Sequence, residues 1–207
     1  NNQYDPIYGF TRQFILTGNI KWFELLDDLA RHVVDIDIYN TEYDRCEYNN
    51  GLFWHTDHYV TAHTATHRTY SAANKALAHG QALGGGPGPE HCYTTGLCYH
   101  YWLTGYESSK LAVLKLADWI TNYHQGDNSL LSQLLSIKEY ELPRIRKIFA
   151  KERISAHRYP FTRGTGNYIT ALLDAFELSS NKDYLTSVEA IIHDTLHPSD
   201  DIKARDL

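Results

Sequence analysis

The chain has 207 residues and a formal net charge of −6, long enough for one domain with a substantial core. That mildly acidic balance argues against a nucleic-acid groove, and no nucleic-acid partner is expected. No apolar run approaches the roughly 20 residues that cross a bilayer, so no membrane partner is expected.

The first helix is predicted over 5–17. Asp5-Pro6 supplies an N-cap oxygen and a proline at the first helical position, and Leu16-Thr17-Gly18 ends it with a residue suited to the left-handed cap. A second helix over 20–37 carries Phe23, Leu26, Ala30 and Val33 on one side and most of its charges elsewhere. Residues 55–79 read as helical. The glycine/proline stretch Gly84-Gly-Gly-Pro-Gly-Pro-Glu-His-Cys-Tyr93 cannot be helix and reads as a loop. An aromatic helix over 93–104 follows, stopped by Leu103-Thr104-Gly105, and then an amphipathic helix over 107–123. Between 127 and 165, a short helix over 130–137 and another starting at Pro143 are the readable elements. Arg158-Tyr-Pro-Phe-Thr-Arg-Gly-Thr-Gly166 is a loop leading into helices over 166–178 and 182–196. Strand signals are scarce, and the expected fold is all-α.

These helices repeat. Setting Leu16 on Leu103 matches Leu26, Leu29, Ala30 and Val33 with Val113, Leu116, Ala117 and Ile120. Setting Leu103 on Leu178 matches Tyr93 with Tyr168 and Leu97 with Leu172, and Ser179-Ser180 stands where the other copies have Thr-Gly. Each unit is a helical hairpin. The first helices (5–17, 93–104, 166–178) are poor in charge and are expected inside, with the second helices outside.

Cys92 and Cys98 read as six apart on one helix, about 9 Å along its axis, which forbids a mutual disulfide; at most one pairs with Cys46. Free buried thiols are expected. The absence of any methionine, including an initiating one, is read as a mature or excised piece, or as methionines missing from the sequence itself.

Trp54-His-Thr-Asp-His-Tyr59, the Gly84–Tyr93 loop, Tyr99-His-Tyr-Trp-Leu-Thr-Gly105 and Arg163-Gly-Thr-Gly-Asn167 resemble the α/α-toroid domains of carbohydrate-active enzymes, nearest to the C-terminal toroid of exo-rhamnogalacturonan lyase-type proteins. The resemblance implies an incomplete α/α toroid of about three to four helical hairpins in a single unit over 1–207, with further chain or an oligomer partner to close the ring. It also implies a polysaccharide or oligosaccharide as ligand. In such a toroid the inner helices run the same way, and their N-termini gather at one end, where free N–H groups attract anions. The candidate site then comprises Glu90, His91 and Tyr93, with Arg163, Thr165 and Asn167, joined by His55, Asp57, His58 and Tyr59.

Two reactions fit this pool. In β-elimination on a uronate, Arg163 or Asn167 holds the carboxylate, His91 or His55 is the base, and Tyr93 or Tyr59 is the acid, with His58 and Tyr59 on the substrate. Glycoside hydrolysis needs paired carboxylates, here Asp57 and Glu90. The excess of histidine and tyrosine favours elimination. A third reading is a helical-repeat scaffold without chemistry, in which His91 and Asp57 only cap helices, Arg163 braces its loop, and Tyr93, Tyr99, Tyr101 and Trp102 are core. His63 and His67 share a helical face but lack the intervening glutamate of a zinc protease, so no metal is expected, and no other cofactor.

Overall fold

The computed structural model describes residues 4–43, 49–52, 88–125 and 162–195. These form helices α1 (Pro6–Thr17), α2 (Ile20–His32), α3 (Thr95–Thr104), α4 (Glu107–Gln125), α5 (Arg163–Ser179) and α6 (Lys182–Thr195). A π-helical turn, Val33–Asp37, prolongs α2, and a 3₁₀ turn, Pro89–His91, precedes α3. Among the described residues there is no strand, only an isolated antiparallel bridge between Ile38 and Leu52. The fold is all-α. The helices expected over 55–79 and within 127–161 lie outside the described residues.

The repeat is physical as well as textual, and its clearest expression is the way each first helix ends. Gly18, Gly105 and Ser180 all take the left-handed conformation, and their N–H groups close on the carbonyls of Phe14, Tyr101 and Phe176. One position earlier, the hydroxyls of Thr17, Thr104 and Ser179 donate to the carbonyls of Gln13, His100 and Ala175 at 2.6–2.7 Å. The same hydroxyls accept from the N–H groups of Asn19, Tyr106 and Asn181 at 3.1–3.2 Å. This local bond set reverses the chain three times in the same manner, so each hairpin pairs its two helices without long connections.

Hairpins α1/α2, α3/α4 and α5/α6 stack so that α1, α3 and α5 are neighbours in one layer, while α4 packs on both α3 and α5. Ile7, Leu26, Val33, Leu97, Val113, Leu116, Ile120, Tyr168, Leu172 and Ile191 fill the space between layers. The predicted inside/outside division by charge needs correction here. α4, expected outside, buries Ala112, Val113, Leu116, Ala117, Trp119 and Ile120, whereas α1, expected inside, buries only Ile7 and Thr11. The reason is position in the stack. α4 lies between its own partner and the next hairpin, but α1 is the first of the row and keeps one side open. Low charge on α1 and α3 reflects aromatic side chains that are half-exposed rather than enclosed.

Candidate functional site

The first-layer helices all present their N-termini at one end, and Asp5 ties two of them together. Its Oδ1 accepts the N–H of Tyr8 in the first turn of α1, as an N-cap does, and its Oδ2 accepts the N–H of Gly96 in the first turn of α3 at 2.9 Å. Only glycine permits this approach: a Cβ at position 96 would come within 2.7 Å of Ile7 Cβ and of the Tyr8 nitrogen. From the other side, Asp174 of α5 accepts the hydroxyls of Thr94 and Thr95 at 2.6 and 2.9 Å. Burial, with Asp5 and Glu177 nearby, raises the Asp174 pKa to about 6, while the two threonine hydroxyls pull it down.

The 3₁₀ turn bearing Glu90 and His91 is set above α5. Gly88 donates to the Leu52 carbonyl, which links the turn to the end of α2 through the Ile38–Leu52 bridge. The sequence reading put Glu90 and His91 at the entrance of α3 and put 158–166 in a loop. Instead, Glu90 and His91 form a turn of their own, and α5 starts at Arg163, because Thr162 serves as its N-cap by accepting the Thr165 N–H. Asn167 therefore sits a full turn inside α5, where its amide donates to the Glu90 carbonyl at 2.7 Å and braces the turn.

These elements bring Glu90, His91, Tyr93, Arg163 and Asn167 together. One Arg163 nitrogen lies 3.3 Å from Glu90 Oε2 and 3.3 Å from His91 Nε2. A guanidinium only donates, so this contact uses the lone pair of Nε2 and assigns the proton of the neutral ring to Nδ1. Burial, reinforced by the Arg163 cation and opposed by Glu90, holds the His91 pKa below its ordinary value, so the ring is neutral at neutral pH. The His91 residue is only 4% exposed, yet the Arg163 side chain covering it is 42% exposed and its partner Glu90 58%. Such a solvent-screened surface ion pair is weak and can be displaced by another anion.

Tyr4 was missed in the sequence. Its ring lies 6.2 Å from that of His91 and 6.3 Å from that of Tyr93, and its hydroxyl accepts from Arg163 at 3.3 Å. No local pattern around Tyr4 announces this role, since the chain must fold before the residue preceding the first helix meets the start of the third hairpin. His55, Asp57, His58 and Tyr59, and the His63/His67 pair, lie outside the described residues. Among the described residues no group of His, Cys, Asp and Glu is arranged to hold a metal ion. Cys92 and Cys98 are buried free thiols, and Cys92 lies before α3 rather than on it.

A second constellation, also not singled out in the sequence, lies in the interior. His100 of α3 meets Ser109 of α4 through Nδ1 at 2.8 Å and Asp27 of α2 through Nε2 at 2.8 Å. Asp27 is held in turn by Arg31, whose hydrogen bond is the main cause of its lowered pKa. A serine, a histidine and an aspartate suggest nucleophilic catalysis, but the ring nitrogens are used in the reverse sense of a hydrolase triad. His100 and Ser109 are both 0% exposed, so no substrate reaches the hydroxyl. The set is a brace across three helices.

No family model matches the chain, and neither a curated protein nor a solved structure matches it.

Proposed function

We propose that the chain is part of an α/α toroid of a carbohydrate-active protein and that it acts on a uronate-containing polysaccharide by β-elimination. The observation that carries this reading is a neutral, shielded His91 covered by an exposed, displaceable Arg163, with two tyrosines at its edge. The side-by-side first helices, with their N-termini at one end, are the arrangement that the inner helices of such a toroid have, and this supports the fold part of the proposal.

Each residue then has a role set by its chemistry. Arg163 leaves Glu90 and His91 to pair with the uronate carboxylate, which neutralises the charge that develops when the α-proton is removed. Its departure uncovers Nε2 of His91, which takes that proton from the carbon next to the carboxylate. The electron pair forms the new carbon–carbon double bond, the bond to the leaving oxygen breaks, and that oxygen receives its proton from Tyr93 or Tyr4. Asn167 keeps the turn in place rather than touching sugar. Glycoside hydrolysis needs a second carboxylate beside Glu90, which pairs with Arg163; the expected partner, Asp57, lies outside the described residues.

The test is to incubate the protein with a panel of uronate polysaccharides and follow the ultraviolet absorbance of unsaturated uronates. Elimination produces that absorbance, and a new reducing end without it denotes hydrolysis instead.

A further inference from the structure

We infer that Tyr8 and Arg12 of α1, together with Tyr99 and Trp102 of α3, form a second subsite that holds another acidic sugar of the same polymer. The inference rests on the proposed uronate substrate and adds where its neighbouring residues bind.

Four observations carry it. First, α1 and α3 start from the shared Asp5 link, so both lead away from His91 and Arg163 in the same direction. Second, their aromatic positions adjoin, across the two helices at Tyr8 and Tyr99 and about one turn further along α3 at Trp102. Tyr8 and Tyr99 lie 5.2 Å apart, and the Trp102 ring stands edge-on to Tyr99, also at 5.2 Å. Third, these rings are not spent on the core. Ile7, Thr11, Leu97 and His100 take the packed sides of the two helices, while Trp102 stays 50% exposed. That exposure also departs from the expectation that Trp102 is core.

The fourth observation concerns charge. The guanidinium of Arg163 lies 5.6 Å from the Tyr4 ring centre, and that of Arg12 lies 5.9 Å from the Tyr8 ring centre. An aromatic face with an arginine at its border is thus present twice, at Tyr4 just before α1 with Arg163 of α5 and at Tyr8 within α1 with Arg12, and Tyr8 to Arg12 covers about 6 Å of helix axis, on the scale of a single sugar. Flat aromatic rings suit the apolar face of a pyranose, and the arginine suits its carboxylate. In a chain of net charge −6, cations placed at both aromatic faces select an anionic ligand. A neutral glucan lacks the groups they would pair with.

Binding of D-galacturonate, trigalacturonate and the neutral trisaccharide maltotriose, followed by calorimetry and tryptophan fluorescence, tests the assignment. The trimer should bind at least ~10-fold more tightly than the monomer, because a linked second sugar is captured at high effective concentration. Arg12→Ala and Trp102→Ala should each remove most of that advantage, with monomer affinity and melting temperature unchanged, since both side chains are at the surface. Equal binding of maltotriose, no binding of the trimer, or an unchanged trimer-to-monomer ratio in both variants would overturn the subsite. An Arg12-dependent trimer that never yields unsaturated product would leave the subsite standing and remove the elimination chemistry.

Discussion

The two ends of the first-layer helices differ in how faithfully they repeat. At the turn end, three copies share one left-handed cap and one hydroxyl relay. At the N-terminal end the caps and the turns leading into the helices do not repeat. α1 begins on Asp5, α3 follows a 3₁₀ turn carrying Glu90 and His91, and α5 begins on Thr162 with Arg163 exposed. The turn end has a single task, reversing the chain, and one bond set does it each time. The N-terminal end has been given three different sets of side chains that meet one another. Divergence within a repeat therefore locates the candidate chemistry, and constancy locates the scaffold.

Two histidines sharpen the contrast. His91 and His100 are both almost fully buried, and both approach a carboxylate system. His100 is held on both ring nitrogens by groups from neighbouring helices, whereas His91 Nε2 is covered by an exposed arginine. Burial and hydrogen bonding alone do not separate a base from a brace. Access does.

The contrast can be broken by substitution, and the largest effect is expected at His91. His91→Ala should lower turnover per folded molecule on a uronate polysaccharide by about 10²–10⁴-fold, the usual contribution of a positioned base. A variant with full activity would remove the assigned difference between the two ends.

His100→Ala should do the reverse. It empties a packed position and strands the buried Ser109 hydroxyl, costing about 2–4 kcal/mol in urea unfolding, with turnover per folded molecule kept. A smaller loss would mean that Asp27 and Ser109 find other partners.

At the N-terminal end, Asp174 gives a pH signature of about 1–3 kcal/mol. Its folded pKa, about 6, lies above the ordinary 3.8, so its contribution is full below about pH 4 and is lost as pH rises through about 6. Asp174→Asn keeps one amide oxygen to accept both threonine hydroxyls, which share a single oxygen of Asp174, and should abolish that slope, leaving the variant more stable than the parent at pH 7–8. Thermal unfolding across pH 4–8 measures it.

A subtler effect belongs to Arg163. Removing its cation in Arg163→Gln should move the His91 pKa up toward its ordinary 6.5 without reaching it, since burial is the larger cause of the depression. An NMR titration of the ring protons reads this directly, and an unmoved pKa would show that the guanidinium does not act on the ring.

The smallest change is expected at the turn end. Ser180 occupies the left-handed position that glycine fills in the other two copies, with φ 58° against 63° and 69°. Ser180→Gly should stabilise the third hairpin by about 0.5–1 kcal/mol in thermal unfolding, with no effect on turnover.

Much of this architecture was legible from neighbours a few residues apart. Asp5-Pro6 starting a helix, Thr-Gly ending one, and the hairpin period itself all follow from bonds within one turn of helix, which local sequence controls. The pool of Glu90, His91, Tyr93, Arg163 and Asn167 was also readable, because the repeat aligned their positions. What only the tertiary structure decided is who touches whom. Burial of α4, the Asp5 link to Gly96, Tyr4 against His91, and the interior brace of Asp27, His100 and Ser109 each join residues from different helices. Such contacts depend on how the hairpins stack and on side-chain volume at the seams. The residue types and their spacing along the chain carry neither quantity, so a histidine destined to brace and one open to chemistry look alike until the helices pack.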